Sequence, residues 1–442
     1  MHPQTPRVQF ADAFRFWLRL GFINFGGPAG QIAIMHRELV ERRRWISEDR
    51  FLHALNFCMM LPGPEAMQLA IYIGWLLHRT LGGLVAGILF VMPGFVVMLA
   101  LSWVYAIHGD VGWLAAAFFG LRAAVIALVA EAVLRIGARA LGHPLRVGIA
   151  AVAFVAIFFL NVPFPVIVIA AAVFGLAADR MWPSAFAQKH GDGATAATGG
   201  SPVNPSLRGA AMTLAAGLIA WWGPLLAVIA WRGWQDVLAQ QAVFFSKAAV
   251  VTFGGAYAVL AYIAQAAVEW FGWLQPGEML DGLGLAESTP GPLIMVTQFV
   301  GYLGAYRNPG DLDPAVAGLL GAVVTTWATF APCFLWIFLG APFIERLRGQ
   351  RTITAALSAV TAAVVGVILN LSVWLAIQTL FAEVGEVALG PARFPMPQLQ
   401  SVDGLAVVLT VVAFWALTRL HIGVVPLVLA SAAAGLVARW LL

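Results

Sequence analysis

Long apolar runs recur along this chain, at about 81–107, 112–134, 145–161, 163–178, 208–231, 314–341, 352–380, 402–419 and 422–441. A helix that crosses a bilayer needs roughly 20 apolar residues. Runs of this kind have few places to go in water, and the rest of the chain could not cover them. Only 10% of its 442 residues are charged, against about 25% in a typical soluble domain. A soluble enzyme, a disordered chain and a secreted disulfide scaffold are all excluded. No ten-residue segments alternate with period two, as membrane barrel strands do. The expected class is an all-α polytopic membrane protein. Its 17 Trp and 45 Gly fit that class, since Trp collects at membrane interfaces and Gly is tolerated in membrane helices.

The remaining counts bound less. A net charge of +4 gives no reason to expect nucleic acid. Cys58 and Cys333 lie in apolar surroundings and make neither a disulfide framework nor a CxxC metal spacing. The start, MHPQTPRVQFADAFRFW, lacks the apolar core and small-residue cleavage site of a removable signal peptide. The eight His show no ligand spacing and there is no GxxxxGK[ST] loop, so no metal and no cofactor are expected. WPSAFAQKHGDGATAATGGSPVNPS (182–206) has the composition of a flexible linker.

Two stretches, 11–78 and 237–306, are apolar but repeatedly broken by Gly and Pro. An offset of 228 aligns them without a gap for about forty residues. Phe25-Gly26-Gly27 falls on Phe253-Gly254-Gly255, Glu41 on Glu269, Trp45 on Trp273, and Pro62-Gly63-Pro64 on Pro290-Gly291-Pro292. After small gaps, Gly74-Trp75 meets Gly301-Tyr302 and Pro93-Gly94-Phe95 meets Pro332-Cys333-Phe334. Such self-similarity marks an internal duplication, which many transporters carry. The expected division is an N-terminal repeat at 1–182, a polar cytoplasmic linker at 183–207, and a connecting helix plus the C-terminal repeat at 208–442.

Loop charges set the orientation. The first half has Arg37, Arg42, Arg43, Arg44 and Arg50 between its FGG and PGP motifs, while 265–278 has no Lys or Arg. The positive-inside rule places the first loop in the cytoplasm and the second outside, so the repeats are expected to be inverted. If the FGG and PGP segments are re-entrant hairpins, 17 of the 25 Lys and Arg fall inside and only Arg232, Arg307, Arg393 and Arg439 outside. If they are full spans, Arg135, Arg139 and Arg146 land outside. The hairpin arrangement fits the charges better: two broken re-entrant hairpins plus about four spanning helices per repeat, joined by the extra span at 208–231. The N-terminus and the linker are then cytoplasmic, in a multi-pass protein of the cell (inner) membrane.

A helix broken inside a membrane is tolerated only within protein or around a wet cavity. Gly26, Gly27, Pro62, Gly63 and Pro64 break the first half; Gly254, Gly255, Pro290, Gly291 and Pro292 break the second. Each break begins a half-helix whose N-terminus carries partial positive charge and suits an oxyanion. A single such motif is explained as well by kinking or close packing; four in matched pairs favour an anion site. Six residues before each FGG stands a base, Arg19 and Lys247. A cation at membrane depth costs about 3 kcal/mol and marks function by default, although snorkelling to the interface is the alternative and suits Arg15. Glu65 and Glu287 flank the PGP motifs without aligning with each other. Either could carry a coupling proton, pair with Lys247 or Arg19, or, for Glu65, cap its half-helix. Asn24, Gln68, Thr252, Ser288, Thr289, Thr297 and Gln298 could hydrogen-bond an oxyanion, though Ser and Thr often bond back to their own helix. Arg122 and Glu131 share one span and are too far apart to pair along it; inter-helix contacts are the expected role.

The runs FGGPAGQIAIMHRELVERRRWISEDRF…LPGPEAMQLAIYIGW and FGGAYAVLAYIAQ…WLQPGEMLDGLGLAESTPGPLIMVTQFVGY resemble the two halves of long-chain chromate ion transporters. The resemblance covers nearly the whole chain outside the linker. It implies a secondary transporter, not an enzyme, that exports chromate from the cytoplasm using the proton-motive force, with sulfate as a related dianion. By that match, Phe25-Gly26-Gly27-Pro28, His36, Pro62-Gly63-Pro64, Phe253-Gly254-Gly255 and Pro290-Gly291-Pro292 are signature positions, with Ala256 in place of the Pro that follows the first Gly pair. A sulfate or other oxyanion carrier and a passive anion channel are the alternatives. The expected partners are a small inorganic oxyanion, protons and the lipid bilayer, with a homodimer as the candidate assembly.

Overall fold

The structure, a computed structural model, describes residues 8–25, 27–109, 111–182, 186, 206–253, 255–343, 351–390 and 392–441. The expected linker lies almost wholly outside these, as do Gly26 and Gly254. The described residues form sixteen α-helices and one small β-hairpin, and the protein is an all-α polytopic membrane protein. Contacts divide the chain into two compact units. Unit 1 holds Met1–Ser102, Lys189–Gly255 and Thr289–Gly349; unit 2 holds Trp103–Gln188, Ala256–Ser288 and Gln350–Leu442. Each unit draws on both halves of the chain.

In unit 1, α1 (Phe10–Ile23), α2 (Gly27–His36), α3 (Glu48–Cys58) and most of α4 (Glu65–His108) come from the first half. From the second come α8 (Leu207–Arg232), α9 (Val237–Val251), α12 (Val296–Arg307) and α13 (Pro314–Gly340). The long α4 is two helices, with His78 (φ −140°, ψ 31°) and Arg79 (φ 56°, ψ −150°) making a hinge between its arms. The arms cross where Gly74 meets Gly82: a Cβ on either glycine would run into the carbonyl oxygen of the other. The same crossing joins α12 to α13 at Gly301 and Gly321, where a Cβ on Gly301 would lie 2.8 Å from the Gly321 carbonyl oxygen. In the second half a loop replaces the hinge. There Arg232 pairs with Asp311 at 2.5 Å and with Asp236 at 3.0 Å, and its guanidinium holds the Asp311 carboxyl below the usual range. On α1, Ala13, Phe16, Trp17 and Leu20 are buried, while Phe14, Leu18 and Phe22 are exposed. An apolar outer face is what lipid permits and water does not.

In unit 2, α5 (Gly112–Ala140), α6 (Pro144–Phe158) and α7 (Phe164–Ala178) come from the first half. The second half supplies α10 (Ala256–Gln265), α11 (Glu278–Ser288), α14 (Arg351–Leu380), α15 (Gly404–Arg419) and α16 (Val424–Leu441). Small residues again let helices touch, as at Gly120 of α5 against α16 and Gly175 of α7 against α14. A hairpin of β1 (Val384–Leu389) and β2 (Ala392–Pro397) closes the stretch between α14 and α15. It is absent from the expected elements, because its apolar residues are too few and too mixed with Gly and Pro to announce strands.

Among the described residues, five helices are long and apolar enough to cross a membrane: Glu65–His108, Gly112–Ala140, Leu207–Arg232, Pro314–Phe343 and Thr354–Leu380. They cover five of the expected runs. The other four runs form α6, α7, α15 and α16, each of 15 to 18 residues.

The helix crossings give a direct test. Gly321→Val forces a side chain against the Gly301 carbonyl, an overpacking that costs about 1–3 kcal/mol. Thermal unfolding of the detergent-solubilised protein should show a midpoint lowered by several degrees. Gly148→Ala, on α6 where a Cβ meets nothing within 4 Å, should leave the midpoint unchanged or slightly raised.

Candidate functional site

The breaks of unit 1 have a common local chemistry. After α1 ends, Asn24 (φ −88°, ψ 69°) centres a three-residue turn in which the Phe25 N–H donates to the Ile23 carbonyl at 3.1 Å. At the position 228 residues later, Thr252 (φ −76°, ψ 84°) centres the same turn, with Phe253 N–H donating to the Val251 carbonyl at 3.0 Å. This is the inverse γ-turn. The glycines that follow, Gly27 (φ +66°) and Gly255 (φ +101°), lead into α2 and α10. In the PGP segments Gly63 takes φ +124° and Gly291 φ +110°, a region open to glycine at little cost. Glu65 then opens α4, and after Pro292 a 3-10 turn, Leu293–Met295, opens α12.

Non-local hydrogen bonds tie these breaks together. The Gly63 N–H donates to the Thr252 carbonyl at 2.7 Å, and the Gly291 N–H donates to the Asn24 carbonyl at 2.9 Å. Donors and acceptors are again 228 residues apart, so each PGP glycine is satisfied by the turn residue of the opposite half. The aligned Pro93-Gly94-Phe95 and Pro332-Cys333-Phe334 segments pack on the same points. A Cβ on Gly94 would run into the Pro290 carbonyl, and Cys333 Sγ stands 3.0 Å from where a Cβ of Gly63 would be.

Polar side chains gather around this crossing. Asn24 is completely buried, and neither its Nδ2 nor its Oδ1 has a hydrogen-bond partner among the described residues. Gln68 Nε2 donates to the Pro62 carbonyl at 2.7 Å. Gln298 Nε2 donates to the Phe95 carbonyl at 2.9 Å. Gln31, not among the expected residues, donates through Nε2 to the Gly291 carbonyl at 2.6 Å; an amide in the otherwise apolar stretch after FGG was the signal for it. Thr252 and Thr297 bond back to Ala248 and Ile294 on their own chain segments, and Ser288 to Leu285. Thr289 is buried. The Glu65 carboxylate, at the start of α4, lies with Oε1 3.7 Å from where a Cβ of Gly255 would be.

A profile of the chromate transporter family matches residues 11–176 and 239–436. A chromate transport protein of Cupriavidus metallidurans is 30% identical over 82% of this chain and 82% of its own. One of Pseudomonas aeruginosa is 34% identical over 82% of this chain and 80% of its own. An uncharacterized transporter of Methanocaldococcus jannaschii is 24% identical over 82% and 83%. This chain belongs to the chromate transporter family. No solved structure matches it.

Of the positions expected from the resemblance, Gly27, Gly63, Gly255 and Gly291 lie in the breaks just described, each with positive φ. His36 stands apart from it, with Nε2 2.6 Å from Glu48 and Nδ1 3.3 Å from Glu41. The basic loop after it is internally paired: Arg42 bonds Glu38 at 2.6 Å, and Arg43 lies over the rings of Phe16 and Trp45. Arg19 and Lys247 are exposed on α1 and α9. Neither makes a hydrogen bond or ion pair among the described residues, so the crossing does not hold them directly. Arg19 shares its face with Phe14, Leu18 and Phe22.

Two charged clusters belong to unit 2. Arg122 grips Asp281 with two bonds, Nε to Oδ1 at 2.6 Å and Nη2 to Oδ2 at 2.7 Å. Tyr105, in the last turns of α4, adds a bond to Asp281 Oδ2 at 2.7 Å. This fork-to-fork pair clamps α11 to α5, the inter-helix role expected of Arg122; Glu131 pairs instead with Arg135 at 3.3 Å. Glu287 is buried on α11 and hydrogen-bonded to Tyr257 of α10. Unit 2 also holds a cavity of about 990 Å³ lined by Asn161, Gln265, Glu269, Trp270, Gln378 and Glu386 among others. Its two carboxylates make it a poor container for a dianion. Among the described residues no group of three or more His, Cys, Asp or Glu could hold a metal ion.

The glycines of the crossing predict an order of severity. Gly63→Ala meets both an unfavourable φ and close neighbours, with Gln68 Nε2 2.8 Å and Cys333 Sγ 3.0 Å from the new Cβ. Gly291→Ala meets the φ penalty but nothing closer than 3.4 Å. A left-handed non-glycine residue costs about 1–3 kcal/mol, so both variants should be destabilised and Gly63→Ala the more. Comparing their thermal midpoints in detergent checks the order.

Proposed function

We propose that this protein is a secondary transporter that carries chromate out of the cytoplasm and is driven by the proton-motive force. The observation that carries the reading is the crossed pair of hydrogen bonds, Gly63 to Thr252 and Gly291 to Asn24, with the orphaned amide of Asn24 beside it. A buried polar group without a partner costs about 1–3 kcal/mol. An oxyanion accepting from Asn24 Nδ2 would remove that cost. The first turns of α2, α4 and α12, in the same unit as Asn24, supply N–H groups that have no partner within their own helices, and their dipoles favour negative charge. In this reading Gly26, Gly27, Pro62, Gly63, Pro64, Gly254, Gly255, Pro290, Gly291 and Pro292 shape the cradle. Arg19 and Lys247 attract the dianion along its path. Glu65 and Glu287 are the candidate proton carriers. Chromate transport proteins among the relatives support chromate as the substrate; sulfate shares its shape and charge and is the natural competitor. The FGG and PGP segments act as re-entrant hairpins in two inverted repeats. The basic loop at 37–50, the N-terminus and the linker face the cytoplasm, as the placement of Lys and Arg favours.

The test is flux of labelled chromate into proteoliposomes. A lumen-acid gradient should drive uptake, and sulfate should compete. Absence of uptake with or without the gradient overturns the reading. Asn24→Ala should weaken chromate binding about tenfold or more, the worth of one hydrogen bond to a charged group. Lys247→Ala should abolish uptake while the protein still inserts; normal uptake by that variant removes Lys247 from the path.

A further inference from the structure

The cradle is built from positions that agree between the two halves, but the carboxylates are not. The 228-residue offset pairs Glu287 with Met59 and Tyr257 with Ala29, neither of which can ionise. The second half alone therefore has an acid facing a phenol at this place. Tyr257 is the second residue of α10 and Glu287 the last but one of α11, so the bond joins the helix that follows FGG to the helix that precedes PGP. Both are buried, Tyr257 at 8% exposure and Glu287 at 5%. The phenol O–H donates to Oε1, while Oε2 makes no hydrogen bond among the described residues. The charges that act on the pair come from α5, Arg135 drawing on the carboxylate and Glu131 opposing it. Helix α14 packs on α10, and α16 packs on α11. Neither brings an acidic, basic or histidine side chain to the pair among the residues whose side chains are described.

We infer that Tyr257 is the positioning residue of the coupling carboxylate: its phenol holds Oε1 of Glu287, so that Oε2 takes up and releases the transported proton. One proton binds, one leaves, and the phenol O–H is not consumed. The anion is held by groups common to both halves, and the proton by a pair that only one half possesses. The inference rests on the proton-driven reading above. Its physical basis is simple. A donor aimed at a carboxylate favours the ionised form. At this buried carboxylate, that bond lowers the pH at which the proton is let go.

The experiment uses the full-length protein in proteoliposomes and two assays of labelled chromate. One is uptake driven by a lumen-acid gradient, measured across pH. The other is exchange of labelled for unlabelled chromate at equal pH on both sides. Tyr257→Phe keeps the ring and loses the donor. It should leave exchange within about twofold of wild type and move the pH midpoint of gradient-driven uptake up by roughly one unit, the usual scale of such shifts. A 3-fluorotyrosine placed at 257 keeps the shape and strengthens the donor, so its midpoint should move down. This second variant decides the matter if Tyr257→Phe fails to insert, and a residue that merely packs would produce neither shift. Midpoints that stay at the wild-type value in both variants overturn the role of Tyr257 while leaving proton coupling intact. Wild-type protein that exchanges chromate but ignores the gradient overturns the coupling reading, and this inference with it.

Discussion

A backbone N–H or C=O inside a bilayer has no water to turn to, and everything else in unit 1 is arranged around that fact. The breaks at FGG and PGP free several such groups at once. The Gly63 N–H finds Thr252 and the Gly291 N–H finds Asn24. Each half thus repairs the damage of the other. Neither pair of breaks is self-sufficient, so the two halves of the chain must be folded together before either is satisfied. The glycine crossings at 74/82 and 301/321 bring the flanking helices close enough for this. The helix-interior segments with Pro93 and Pro332 press on the same points.

The same constraint explains why so few polar side chains near the crossing are free. Gln31, Gln68 and Gln298 spend their amide donors on backbone carbonyls, and Thr252 and Thr297 bond to their own segments. Asn24 is different, buried with both amide atoms unbonded. Gln31, Gln68 and Gln298 leave only Oε1 without a partner among the described residues, so of these four amides Asn24 alone has an unused donor nitrogen. In unit 2 polar groups follow another rule. Arg122, Asp281 and Tyr105 form a clamp between helices, and Tyr257 with Glu287 a second bond between α10 and α11. Asp281 aligns with His53 and Glu287 with Met59, so these contacts are specific to the second half.

Much of this was legible in the residues. The apolar runs announced the membrane class, and five of them match the five helices among the described residues that are long enough to span. The glycines and prolines announced the breaks, because positive φ and a missing N–H are local properties that no partner has to supply. The direction of a side chain was less legible. In a membrane helix both faces are apolar, so periodicity does not say which side Arg19 or Lys247 occupies; both prove exposed. The two carboxylates could not be told apart either. Glu65 lies beside Gly255, whereas Glu287 faces Tyr257.

The sequence by itself determined that the chain lives in a bilayer, that its helices break in two matched pairs, and that the pairs are 228 residues apart. Those properties depend on residue type and short-range backbone geometry. Only the tertiary structure decided which carbonyl each freed glycine N–H would reach, that Arg122 would grip Asp281, and that Tyr257 would hold Glu287. The partners of Gly63, Gly291 and Arg122 stand more than 150 residues away along the chain, and Tyr257 and Glu287 lie on separate helices. No local rule orders such pairs; they form because buried polar groups must find one another once water is gone.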